Sequence, residues 1–281
     1  MNVQTTQPIT GQQIAQAIVP QPPMSYGAVN WIGVWTLYKR EIMRFWKVGL
    51  QTIAAPVVTT LLYMMIFVVA IGRARPSVDG VSFAAFVGPG LIMMSILNNA
   101  FANSSSSLVQ AKLMGTAADF LTPPLSPAEL AIGFTAGAVT RGVVVGLITA
   151  ATVWPFSRFG VSHLWAVVYF TLAASVIMAV TGVVAGLWAE KFDHLAAVTN
   201  FIVMPMTFLS GTFYKVTSLP PPFSQGSKFN PFFYLIDGFR YGLVGRADAP
   251  LLIGVAVTLA LALALIAVAY RIFQTGWRLK S

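Results

Sequence analysis

An all-α integral membrane fold is predicted by three observations. Hydrophobic residues make up 57% of the 281-residue chain and charged residues only 9%, against roughly a quarter in a soluble domain. Several apolar runs reach the ~20 residues that a helix needs to cross a bilayer. No predicted crossing contains Asp or Glu, because all eight acidic residues fall in loops, in an amphipathic helix or in a short segment late in the chain.

The same composition removes other classes. Cysteine is absent, so there is no disulfide framework or thiolate metal site. His163 and His194 stand far apart in predicted loops, so no metal centre is expected, and no nucleophile has a base beside it, so no catalytic residue is expected either. The lack of an acidic group within the spans argues against a proton-coupled transporter, which keeps an ionisable relay there. The +9 net charge comes from basic residues flanking the spans, where anionic headgroups account for them, and no nucleic-acid partner is expected.

Residues 1–28 are rich in Gln, Thr and Pro, lack the basic start and apolar core of a signal peptide, and read as a disordered cytoplasmic tail. Residues 29–47 predict an amphipathic helix lying in the membrane interface. Trp31, Val34, Trp35, Tyr38, Ile42, Phe45 and Trp46 form its apolar face, Thr36, Arg40, Arg44 and Lys47 its polar face, and Asn30 is placed to cap it. Six crossings follow at 50–71, 83–101, 130–153, 165–187, 195–213 and 251–270 within a membrane domain of residues 48–281. Basic residues before the first (Lys39, Arg40, Arg44, Lys47) and after the last (Arg271, Arg278, Lys280) put both ends in the cytoplasm, although Arg73, Arg75, Lys215, Lys228 and Arg246 would then lie outside.

The second crossing opens with Gly88-Pro89-Gly90, where Pro89 should kink it, and ends in a polar run. Ser95, Asn99 and Asn103 share one of its faces, with Asn98 beside it; the face serves either interhelical hydrogen bonds or the wall of a transport pathway. Arg141 falls inside the third crossing, and a charge there must face protein, water or a headgroup. Gly133 and Gly137 share its face, while Gly142 with Gly146 and Gly182 with Gly186 repeat a small-xxx-small spacing that lets helices approach closely. Between the second and third crossings, at about 110–122, a short helix from Lys112 to Leu121 stops before Pro123 and Pro124, and its exposed Met114, Phe120 and Leu121 invite a partner protein.

Between the fifth and sixth crossings, at about 214–246, lies a segment both too polar and too short to span. Asn230 caps and Pro231 opens a helix ending near Gly245, about 22 Å long against a hydrocarbon core of ~30 Å. An external re-entrant hairpin fits that length, with Asp237 and Arg240 paired on one face. The alternative is an inert interfacial anchor held by Phe232, Phe233 and Tyr234.

Together the basic amphipathic helix, the six crossings, the short helix before "TPPLSPAEL" and the late "NPFFYLIDGFRYGLVG" resemble the type-2 ABC exporter permeases, and among them the nodulation lipo-oligosaccharide and drug exporter branch. The likeness runs from about Val29 to the end of the chain.

The resemblance implies a half-transporter of the bacterial inner membrane, homodimeric within surrounding lipid and docked on a separate ATP-binding cassette subunit that would hold ATP and Mg. The chain itself has no phosphate loop and no Gly-Lys dipeptide, so it is not expected to be an enzyme or to carry a cofactor. The family's coupling helix maps onto Lys112, Met114, Asp119, Phe120 and Leu121, and its external gate onto Asn230, Asp237, Arg240 and Tyr241. The substrate pathway is expected along Ser95, Asn98, Asn99, Asn103 and Arg141. Met64, Met65, Met93, Met94, Met204 and Met206 offer soft apolar walls for a lipid-like or amphiphilic cargo moved out of the cytoplasm or inner leaflet. A glycan exporter of the same architecture is an alternative, for which Phe101, Phe201 and Phe208 supply rings but no continuous ladder; a non-transporting membrane scaffold is another.

Overall fold

A computed structural model describes residues 29–68, 72, 77–78 and 80–277. The expected tail at 1–28, together with Arg73, Arg75, Arg278 and Lys280, lies outside the described residues. The architecture belongs to the unit Trp31–Ser281 and, among the described residues, its regular structure is helical apart from a two-stranded hairpin (β1, Ser77–Val78; β2, Val81–Ser82) turned at Gly80, which the apolar pattern did not announce.

Among the described residues, five helices are long and apolar enough to cross a membrane: α2 (Gly49–Ile66), α3 (Phe83–Leu113), α5 (Pro127–Ser157), α6 (Leu164–Trp188) and α11 (Leu251–Thr275). The remaining expected crossing, 195–213, takes another form. A helical run begins with α7 (Phe192–Val198), widens into a π-helical stretch Thr199–Val203 and closes with α8 (Met204–Phe208) before the chain turns at Gly211 with φ +77°. Such a bulge inserts an extra residue per turn and is found most often at functional sites.

Local chemistry explains where the long helices start. The Ser82 hydroxyl accepts from the Ala85 amide to cap α3, which runs unbroken through Pro89. At α5, Ser126 and Glu129 form a reciprocal capping box and Pro127 occupies the first turn.

Helix α3 is the axis of the bundle: 94% of its most apolar window is buried, against 17% for α2 and for α11. It packs chiefly on α5 and α6, and the predicted glycine faces make those contacts within one chain. A Cβ on Gly186 would stand 2.8 Å from the Ser105 carbonyl oxygen, and one on Gly146 would strike the Ile96 side chain. Glycine lets the axes come this close, and dispersion over a long contact replaces the hydrophobic effect that lipid cannot supply. Gly133 and Gly137 do the same for α1 (Trp31–Lys47), whose Leu37 and Glu41 lie over them.

Helix α1 corrects the expected division of faces. Its inward stripe is Val34, Leu37, Glu41 and Phe45, whereas Trp31, Trp35 and Trp46 remain exposed. Arg44 therefore turns inward with Glu41 instead of lying on a solvated basic face. The Trp-rich surface left outside suits the lipid–water boundary, where indole is apolar with one polar edge.

Candidate functional site

A polar seam runs along one face of α3. Ser95, Asn99, Asn103 and Ser107 recur every four residues, so they stack on successive turns. Each meets a different group opposite. Ser95 and Thr149 share a hydroxyl hydrogen bond of 3.1 Å, and Arg141 donates to Asn99 Oδ1 at 3.2 Å. Arg44 donates to Asn103 Oδ1 at 3.0 Å and to the Asn103 carbonyl at 2.6 Å, and the Ser107 hydroxyl donates to Glu41 Oε1 at 2.7 Å. Glu41 is fully buried and also pairs with Arg44 at 3.2 Å. The seam thus ties α3 to α5 at one end and to α1 at the other.

Two of its donors have nothing to donate to. Asn103 Nδ2 and Arg141 Nε are buried without a hydrogen-bond partner. Each unmade bond costs on the order of 1–3 kcal/mol, and an arginine in mid-helix adds about 2.5–3.5 kcal/mol on insertion scales.

Beside the seam, a cavity of about 330 Å³ opens between α2, α3 and the π-helical stretch. Thr59, Thr60, Tyr63, Ser95, Asn98 and Asn99 are among its polar lining residues, and Leu91, Met94, Phe101 and Met204 among its apolar ones. Of the residues expected along a pathway, Ser95, Asn98 and Asn99 line this space, while Asn103 and Arg141 stand in the seam behind it. The expected methionines divide too: Met94 and Met204 line the cavity, whereas Met64 and Met93 are core. At one margin Tyr63, Phe67, Phe208 and Phe213 form an aromatic cluster, with Phe67 stacked on Phe213 at 4.0 Å and Tyr63 edge-on to both Phe208 and Phe213.

The late segment folds as α9 (Pro221–Lys228) followed by α10 (Pro231–Val244). Asn230 caps α10 as expected, Pro231 fills the first turn, and Gly245 ends it with φ 76°. Four residues tie α10 to five other places. Asn230 donates to the Met206 carbonyl at 2.6 Å. The Asp237 carboxylate accepts from the amides of Asp248 at 2.8 Å and Ala249 at 2.9 Å, just before α11. Arg240 donates to the carbonyls of Phe86 at 3.2 Å and Gly211 at 2.6 Å while its guanidinium lies 4.0 Å over the Phe86 ring. Tyr241 stacks on His163 at 4.2 Å and shares a hydrogen bond with its Nε2. The expected Asp237–Arg240 pair is present at 3.9 Å, yet it is longer than every hydrogen bond these two side chains make to the backbone, and backbone groups do most of the holding. Of the three rings of the alternative interfacial anchor, Phe232 and Phe233 are buried in the core and Tyr234 is half-buried.

The expected partner-docking helix is corrected in two respects. Helix α3 continues to Leu113, so Lys112 belongs to it, and the short helix α4 covers only Ala118–Leu121. Lys112 Nζ donates to the carbonyls of Leu187 and Ala189 at 2.6 and 2.7 Å, closing the end of α6. Phe120 is buried, edge-on to Phe134 at 5.3 Å, with the Arg40 guanidinium 5.4 Å from its ring, because α1 and α5 provide an apolar pocket that a short helix in isolation lacks. Met114 and Asp119 remain exposed, and the Leu121 side chain lies outside what the structure describes.

The family profile of the ABC-2 type transporters matches residues 33–244, from the first turn of α1 to the end of α10. The chain belongs to the ABC-2 type transporter family. Within it, the inner membrane transport permease YadH of Escherichia coli (strain K12) is 36% identical over 252 residues, covering 89% of this chain and 98% of the relative. Nodulation protein J of Rhizobium leguminosarum bv. viciae is 26% identical, covering 79% and 85%, and that of Rhizobium meliloti (strain 1021) is 25% identical, covering 77% and 82%. The seam, the cavity, α4 and α10 all fall within the matched region. This is a multi-pass inner membrane permease, and membership of the family implies an ATP-binding partner subunit.

Some participants escaped sequence reasoning. Glu41 and Ser107 were not singled out and Arg44 was placed on an outer basic face, although Glu41 stands four residues from both Leu37 and Phe45 on an otherwise apolar stripe, which is the signal that could have found it. Asp248 was read as loop, and nothing local to it announces the Lys215 ammonium at 3.9 Å.

Proposed function

We propose that the chain is the translocation subunit of an ATP-driven exporter that moves a lipid-like or amphiphilic substrate out of the cytoplasm or inner leaflet. Two copies form the pathway, and each rests on an ATP-binding subunit that holds ATP and Mg. The observation that carries this reading is the cavity between α2, α3 and the π-helical stretch, whose lining mixes hydroxyl and amide side chains with apolar ones. The sparse burial of α2 and α11 supports a second copy or lipid against them. In this reading the segment 195–213 is the fifth of six crossings, both termini are cytoplasmic, and α9 with α10 forms an external re-entrant hairpin. Asn230, Asp237, Arg240 and Tyr241 then govern exit by holding α10 to α8, α11, α3 and α6. The exposed Met114 and Asp119 beside α4 meet the ATPase, with Phe120 setting the shape of that surface from beneath.

ATPase activity and substrate release of the complex in lipid, across a panel of amphiphiles, test the proposal. Stimulation by one amphiphile class is expected. Asp119→Ala should retain basal ATP turnover yet lower stimulated transport about tenfold, with thermal stability within about 0.5 kcal/mol of wild type. Phe120→Ala should instead destabilise the chain by about 3 kcal/mol. Unchanged coupling in both Asp119→Ala and Met114→Ala would overturn the docking assignment.

A second reading, a glycan exporter, is favoured by the aromatic cluster of Tyr63, Phe67, Phe208 and Phe213 at the cavity margin, since rings of this kind stack on sugars. Stimulation by oligosaccharide-bearing lipids, and not by simple amphiphiles, would select it.

A further inference from the structure

We propose that Arg141, with Asn99 and Asn103, receives an anionic group (phosphate, carboxylate or sulfate) carried by the transported amphiphile. The inference rests on the reading of the adjoining cavity as the pathway and adds to it the charge of the cargo.

The three inward-turned arginines show why. Arg44 has Glu41 beside it and donates to Asn103 and Ser106. Arg240 has Asp237, two carbonyls and the Phe86 ring. Arg141 offers five N–H donors but has one hydrogen bond, to Asn99, and among the described residues no carboxylate within ion-pair distance. Its Nε is buried and unpartnered. Glu41 is already shared between Arg40 and Arg44, so the charge of Arg141 stays uncompensated in a segment that crosses the membrane.

The second orphan lies close by. Asn103 Nδ2, on a residue with no exposed surface, stands 3.8 Å from where a Cβ of Gly137 would be, and Gly137 is one turn from Arg141 on α5. Asn99 and Asn103 are likewise one turn apart on α3, about 6 Å along the axis. Two unpaired donors therefore occupy adjacent turns of one helix contact, and the Glu41 side chain, which fills the position a Cβ of Gly137 would take, bounds them on the α1 side.

A water could accept from such donors but would leave the guanidinium charge unbalanced. An oxyanion does both, and the planar fork of arginine matches carboxylate and phosphate oxygens pairwise. Asn99, which accepts from Arg141, also lines the cavity, so a headgroup at the seam would leave its chain against Met94, Phe101 and Met204.

Thermal unfolding of the full chain in uncharged detergent, titrated with dodecyl phosphate, dodecylphosphocholine or inorganic phosphate, tests this. Dodecyl phosphate should stabilise saturably, at a half-saturating concentration about tenfold below that of the zwitterionic ester, since binding to the folded state alone raises its midpoint. Inorganic phosphate acting as well as dodecyl phosphate would mean a site for the free ion and would overturn the amphiphile assignment. Arg141→Gln should erase the preference, and Lys47→Gln should keep it. Arg141→Lys, which keeps the charge but loses the fork, should weaken dodecyl phosphate several-fold while retaining some preference, and it carries the test should the glutamine variant fail to fold. A wild-type preference surviving in both Arg141 variants, or no preference in the wild type, would overturn the proposal. Failure of the permease reading looks different: the complex with its ATP-binding subunit would show no ATPase stimulation by any amphiphile, whatever the binding measurement gives.

Discussion

Helix α3 meets buried charge on two fronts, and the two are built differently. Around α10, every charge is matched. Asp237 accepts amides at the entrance to α11, Arg240 closes onto two carbonyls and a ring, and the two side chains also face each other. Along the α3–α5 seam, Arg141 has a single amide oxygen and Asn103 has an idle N–H. Fully satisfied buried networks rigidify, whereas groups left unpaired forgo stability in return for something else. The first is a fastening, and the second leaves two donors idle.

The contrast can be broken most directly at Asp237. Asp237→Ala strands a buried guanidinium and the amides of Asp248 and Ala249, and should cost about 3–5 kcal/mol in detergent unfolding. A wild-type midpoint would mean that α10 is not fastened in this way. Next comes the surface beneath it, where a Cβ on Gly238 would run into the Phe170 ring. Gly238→Ala should cost about 1–3 kcal/mol, and adding Phe170→Leu should return part of that loss; a loss that simply adds would point away from this contact. The smallest effect belongs to the seam. Arg141→Gln still offers an amide to Asn99 and breaks no ion pair, so stability should fall by less than about 1 kcal/mol. A loss as large as that of Asp237→Ala would erase the distinction between the two fronts.

Much of this arrangement was legible in the sequence because it is local or periodic. The long apolar runs, the glycine faces of α5 and α6, and the boundaries of α10 from Asn230 and Pro231 to Gly245 each depend on a few neighbouring residues. The misses depended on partners far along the chain. Glu41 is buried because Ser107, 66 residues away, and Arg44 receive it. Phe120 is inside because α1 and α5 cover it, and a helix that short carries no periodicity from which to read a buried face. The break in 195–213 into α, π and α segments was equally hidden, since an apolar run reports burial in lipid but not the hydrogen-bond pattern of its backbone.

One consequence concerns the unbroken course of α3. Its Phe86 carbonyl is held by Arg240 near one end, and its Ser107 hydroxyl is held by Glu41 near the other. At 1.5 Å per residue those anchor points are about 32 Å apart along one rod. Pivoting that rod by about 5° at Ser107 would swing the carbonyl by about 3 Å, the length of the hydrogen bond itself. A tilt of that size beside α1 would be enough to part the Phe86–Arg240 hydrogen bond beside α10.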